Sequence, residues 1–144
     1  MKLSIIQIIP VTLLLSLVQC KSYKSYETAP EYLMLNETGG GIGVWSTWYI
    51  LPNGQVFFTD QSGKIVKYRR LKRTDALSKI DSAKTRLSAC SQTQSRLPPD
   101  LPVRTISHKT ADNVQTCSWI APDGSALDSL FSKWTVPLRP KKNN

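Results

Sequence analysis

The chain has 144 residues, 40% of them hydrophobic and 20% charged, a composition that excludes a disordered chain and allows one domain with a single modest core. Nineteen Lys and Arg against ten Asp and Glu leave a formal charge of +9, which favours anionic surfaces: phospholipid or lipopolysaccharide head groups, acidic proteins or nucleic acid. Three cysteines and one histidine lack the paired ligand spacing of a zinc site, so neither a metal nor a cofactor is expected.

Met1 and Lys2 make a short positive start, followed by an apolar run from Leu3 to Val18 broken by Ser4, Gln7, Pro10, Thr12 and Ser16. The run falls short of the roughly 20 apolar residues of a membrane span and predicts a secretion leader over residues 1–20. It stops at Leu17-Val18-Gln19-Cys20, before the polar Lys21-Ser22-Tyr23-Lys24. This boundary resembles the lipobox of bacterial lipoproteins, in which Leu stands three residues ahead of a Cys that receives diacylglycerol. It departs from that pattern at Gln19, where the family carries Gly, Ala or Ser. The resemblance implies a lipid on Cys20 and a membrane as partner; ordinary signal-peptidase cleavage after Cys20 is the alternative. Either way nucleic acid drops out as a partner.

With Cys20 acylated or removed, Cys90 and Cys117 remain as an even pair in an oxidising compartment. Linked, they would close a 28-residue loop, worth about 3 kcal/mol, and pin a helix to a strand. Unlinked, they are two buried thiols.

Residues 21–36 read as a tether, 37–138 as the single domain and 139–144 as a disordered tail. Asn36-Glu37-Thr38 fits a glycosylation sequon, without meaning in an ordinary bacterium. Gly39-Gly40-Gly41-Ile42-Gly43 invites a phosphate-cradle reading, but it leads into a predicted strand rather than a helix, and no Lys-Ser or Lys-Thr pair follows. Val44 to Leu51 is rich in β-branched and aromatic residues, Pro52-Asn53-Gly54 is a tight turn, and Gln55 to Thr59 returns as the partner strand. Asp60 to Gly63 turns again into Lys64–Tyr68, a third strand of uncertain register. Thr74 is the expected cap of a helix whose apolar face is Leu77, Ile80, Ala83 or Leu87, and Cys90, leaving Lys79, Lys84 and Arg86 in water. Pro98, Pro99 and Pro102 mark an extended loop. Strands are expected over 103–107 and 113–121, and Ser125 caps a last helix with Leu127, Leu130, Phe131 and Trp134 as its stripe. The order strands, helix, strands, helix predicts an α+β fold: an antiparallel β-meander with two helices packed on one face, a two-layer sandwich.

The glycine-rich entry, the strand ending Tyr49-Ile50-Leu51, the Asn53-Gly54 turn, the Val56-Phe57 return, Trp119-Ile120 and the Leu127–Trp134 helix together resemble a group of small bacterial envelope lipoproteins. The resemblance spans residues 37–136 through short motifs. It implies no enzymatic activity.

Six cations fall within ten residues, Lys64, Lys67, Arg69, Arg70, Lys72 and Arg73. They form either a contact for anionic head groups or an acidic partner, or an edge strand charged against unwanted pairing. Trp45 and Trp48 lie three apart in one strand and must face opposite sides, so one of them is off the core and is the best single binding contact. His108 sits in a polar stretch with no foreseeable partner. No nucleophile elbow and no metalloprotease helix motif occurs, so catalysis is not expected. The resulting expectation is a non-enzymatic envelope lipoprotein, an interaction module at the periplasmic face of the outer membrane, with a protein partner there. The alternative is a secreted inhibitor or sequestering protein acting on a hydrolase or an anionic polymer.

Overall fold

The structure, a computed structural model, describes residues 22–39, 44–90 and 100–139, apart from the side chains of Val44 and Lys67. Six strands build one sheet: β1 (Tyr32–Gly39), β2 (Val44–Ile50), β3 (Gln55–Thr59), β4 (Ile65–Arg70), β5 (Val103–Lys109) and β6 (Val114–Ile120). All neighbours run antiparallel in the order β4-β3-β2-β1-β5-β6. Helices α1 (Arg73–Leu87) and α2 (Ala126–Thr135) cover one face. The expected α+β architecture is the observed one, with a four-stranded meander where two or three strands were anticipated.

Alternation fixes which side chains meet the helices. Leu33 and Leu35 of β1, Trp48 and Ile50 of β2, Val56 of β3, Ile106 of β5, and Cys117 and Trp119 of β6 pack in one cluster with Ala76, Ile80, Ala83 and Leu87 of α1 and Phe131 and Trp134 of α2. A second, smaller cluster lies on the opposite face, where Ala29, Leu51 and Phe57 are flanked by Tyr23, Tyr26, Tyr32 and Tyr49.

Several boundaries differ from the sequence reading. Residues 22–36 are no tether: β1 begins at Tyr32 and is paired on both sides, by β2 and by β5. Its alternating Leu33 and Leu35 are the reason, since both are wholly buried. Thr74 does not cap α1; the helix starts at Arg73 behind Lys72, whose side chain makes no capping bond. Lys84 pairs with Glu31 at 3.0 Å, and Lys79 lies over the Trp134 ring at 5.4 Å, so neither is simply solvated. Ser125 does cap α2, its Oγ accepting the Asp128 N–H at 3.0 Å. A bulge opposite Val56 and Phe57 explains the unclear register of β4, because one extra residue there breaks the alternation.

The Asn53-Gly54 turn is as predicted. Gly54 has φ +87°, and a Cβ at that position would collide with the Leu71 carbonyl. The turn is thereby fastened to the segment leaving β4: Leu71 N–H donates to the Gly54 carbonyl at 2.8 Å.

Candidate functional site

Buried charge gathers where β1, β5 and α2 meet. Arg104 donates from Nε to Glu37 Oε1 at 3.0 Å, and from Nη1 to Asp128 Oδ1 at 2.8 Å and Ser132 Oγ at 2.9 Å. Arg139 Nη2 reaches Glu37 Oε2 at 2.8 Å, and Trp119 Nε1 donates to Asp128 Oδ1 at 2.8 Å. Burial opposes the Arg104 charge, but its bonds to Glu37 and Asp128 outweigh that cost and raise its pKa. Each carboxylate is thus held by two cationic or N–H donors. Such a set fixes α2 against the sheet.

His108 also proves partnered. It is buried in β5 with Nε2 2.8 Å from Glu31 Oε1, the same oxygen that receives Lys84 Nζ. Burial raises the Glu31 pKa, yet hydrogen bonds from His108 and Lys84 more than compensate and hold the carboxyl below its ordinary range. Sequence could not reveal this pair, because 77 residues separate its members.

The face opposite the helices is chemically different. Cross-strand pairing sets Thr59, Thr47, Asn36, Thr105 and Ser118 side by side, one row of short polar side chains across five strands. Thr105 and Ser118 share a hydrogen bond of 2.8 Å. Among the described residues, Asn36 Oδ1 and Thr59 Oγ1 are buried without a hydrogen-bond partner. Trp45 stands beside this row opposite Thr38 and is 56% exposed, whereas Trp48 is 1% exposed on the helix side. Strand alternation therefore sorted the two indoles as expected. Asn36, the sequon residue, lies within the row.

The cationic run occupies an edge strand and its exit. Lys64, Arg69, Arg70, Lys72 and Arg73 are exposed, and the Lys67 side chain lies outside the described residues. Arg69 Nη1 donates to the Pro137 carbonyl, tying the edge to the chain beyond α2. Across the face opposite the helices, from β3 to β1, runs the N-terminal strap, residues 22–31, whose anchor the sequence did not disclose. Gln55, fully buried, accepts the Tyr23 N–H on Oε1 at 2.7 Å and donates from Nε2 to the Tyr23 carbonyl at 2.9 Å. Tyr26 then stacks on Tyr49 at 3.5 Å, with Tyr32 edge-on to both. Burial first, and a bond to Tyr49 second, push the Tyr26 hydroxyl pKa up. Three tyrosines within ten residues were the available signal.

Cys90 and Cys117 are bonded, S–S 2.00 Å, and join the chain just past α1 to β6. Beside the bridge lies a cavity of about 190 Å³ walled by Ala89, Trp119 and Leu127. Its polar rim is already engaged, Asp123 accepting the Ser125 N–H at 2.9 Å while Ser125 caps α2. Cys20 and residues 40–43 lie outside the described residues. The strands joined by 40–43 are antiparallel neighbours, paired up to Gly39 and Val44, so no helix N-terminus follows the glycines as a phosphate cradle requires. No group of three or more metal-binding side chains forms among the described residues, and none of their helices is long and apolar enough to cross a membrane.

Fold and site together define a small α+β domain with an internally paired helix side and an opposite face divided between an aromatic cluster and a polar row beside an exposed indole. No family model matches this chain, and no curated protein or solved structure matches it either.

Proposed function

We propose that the protein is an exported, non-enzymatic binding module held at the cell envelope through a lipid on Cys20. The observation that carries the binding role is the sheet face opposite the helices. There an exposed Trp45 adjoins the half-buried Thr59–Thr47–Asn36–Thr105–Ser118 row. A flat indole beside short polar side chains supplies apolar contact area. Export is supported by the Cys90–Cys117 bridge, since such bonds persist in oxidising compartments. The ion pairs of Glu37 and Asp128 with Arg104 support a structural role for these buried carboxylates.

Two measurements test this reading. Metabolic labelling with an alkyne fatty acid should tag the protein at Cys20; an unlabelled product beginning at Lys21 overturns the anchor. Pull-down from native envelopes should recover a partner that Trp45→Ala loses, by tenfold or more, while its melting temperature stays within a few degrees. Undiminished capture by that variant overturns the binding face.

A further inference from the structure

The place where the N-terminus leaves the domain coincides with the place where its positive charge is densest. Tyr23 is fixed through both backbone polar groups to Gln55, and Gln55 is the register partner of Arg70 on β4. The adjoining turn is bonded to Leu71, immediately before Lys72. Cys20 is three residues from Tyr23, so whatever path the chain takes, a lipid on that sulfur starts within about 11 Å of Tyr23. Arg70 and Lys72 are exposed at this corner, Lys24 is exposed on the strap itself, and Arg69 and Lys64 extend the positive charge along the strand. The strap contributes two acids: Glu27, whose carboxylate accepts from Ser25 Oγ at 3.4 Å, and Glu31, which is paired with Lys84 and His108. At the far end of β4, Ile65 and Val66 are 38% and 46% exposed beside Lys64.

We propose that this corner is a docking surface for anionic phospholipid: Lys24, Arg70 and Lys72 contact head groups beside the anchored N-terminus, and the β4 edge lies along the membrane. The inference rests on the envelope-anchored reading above and adds an orientation to it. The partner follows from where the chain exits, because a lipid on Cys20 brings the corner to a membrane surface before any soluble polyanion can occupy it. Adjacent cations then add electrostatic attraction to the hold of the lipid and orient the domain on the surface. The exposed Trp45 remains open to a separate partner.

The test uses the mature protein purified from its envelope and vesicles of neutral phosphatidylcholine, with or without 30% phosphatidylglycerol. Binding to the anionic vesicles should exceed binding to the neutral ones at low salt and fall steeply at 0.5 M salt. Reversal of Lys24, Arg70 and Lys72 to Glu should cut the anionic-vesicle affinity at least tenfold with an unchanged melting curve. Reversal of the exposed Arg86 and Lys133 should cut it less than threefold. Equal losses from both sets reduce the effect to net charge and overturn the surface; so does native affinity in the triple variant. Binding to soluble polyglutamate as tight as to the vesicles overturns the lipid assignment in favour of an acidic partner. Mass spectrometry of the mature N-terminus separates the two claims. An unacylated product that still prefers anionic vesicles defeats the anchor and keeps the docking corner, whereas an acylated product without that preference defeats the corner alone.

Discussion

The two margins of the sheet solve the same problem in opposite ways. Strand β4 ends the sheet on one side and carries exposed Arg69 and Arg70, with Lys64 and Lys72 flanking it. Strand β6 ends it on the other and contains no charged residue at all, reading Val-Gln-Thr-Cys-Ser-Trp-Ile. What β6 has instead is attachment: Cys117 is bonded to Cys90, and Trp119 donates to the Asp128 that Arg104 also holds. A bare edge needs protection against stray pairing, and charge is one common device. Because β6 manages without it, edge protection alone does not account for the cations on β4. One margin is held by a covalent bridge and buried hydrogen bonds, the other carries exposed charge.

That contrast can be broken at its strongest point first. Arg104→Ala leaves Glu37 and Asp128 buried with fewer donors and should destabilise the protein by about 4 kcal/mol. Thermal unfolding should show a melting temperature lower by more than 10 °C; a loss under 1 kcal/mol would mean that the network contributes little. Next, Cys90→Ser with Cys117→Ser should cost about 3 kcal/mol, read by urea denaturation, because the bridge closes a loop of 27 residues' separation. Smaller again is the pH effect at Glu31. Its folded pKa is depressed, so its stabilising contribution is complete above the ordinary value of 4.5 and is lost as pH falls through the lower folded value. Glu31→Gln should therefore narrow the difference in stability between pH 6 and pH 2.5 by about 1 kcal/mol or less. An unchanged difference would remove Glu31 from the account. Neutralising Lys64, Arg70 and Lys72 to Gln should move stability by no more than about 0.5 kcal/mol. A larger loss would show that β4, like β6, serves the fold.

What the sequence disclosed was whatever is decided locally. Asn53-Gly54 announces its turn because the positive φ is a property of that dipeptide, and Ser125 announces the start of α2 because its cap is three residues away. Trp45 and Trp48 divide between faces by period alone. The missing parts are long-range. Glu37 in β1 interrupts an otherwise apolar alternation, and Arg104 and Arg139, 67 and 102 residues on, explain why a carboxylate is tolerated there. For the same reason residues 21–36 read as a tether: their polar start says nothing of Gln55, which holds Tyr23 from 32 positions away. The basic run was visible, but its position beside the chain's exit depends on the same unseen contact.

The central place of β1 has a further consequence for biogenesis. Its partner β2 follows at once, but β5 is supplied by residues 103–109. Synthesis at about 5–20 residues per second means that several seconds pass between the two. Until then the β1 edge that β5 pairs stays open, and the sheet is completed only when the last third of the polypeptide arrives.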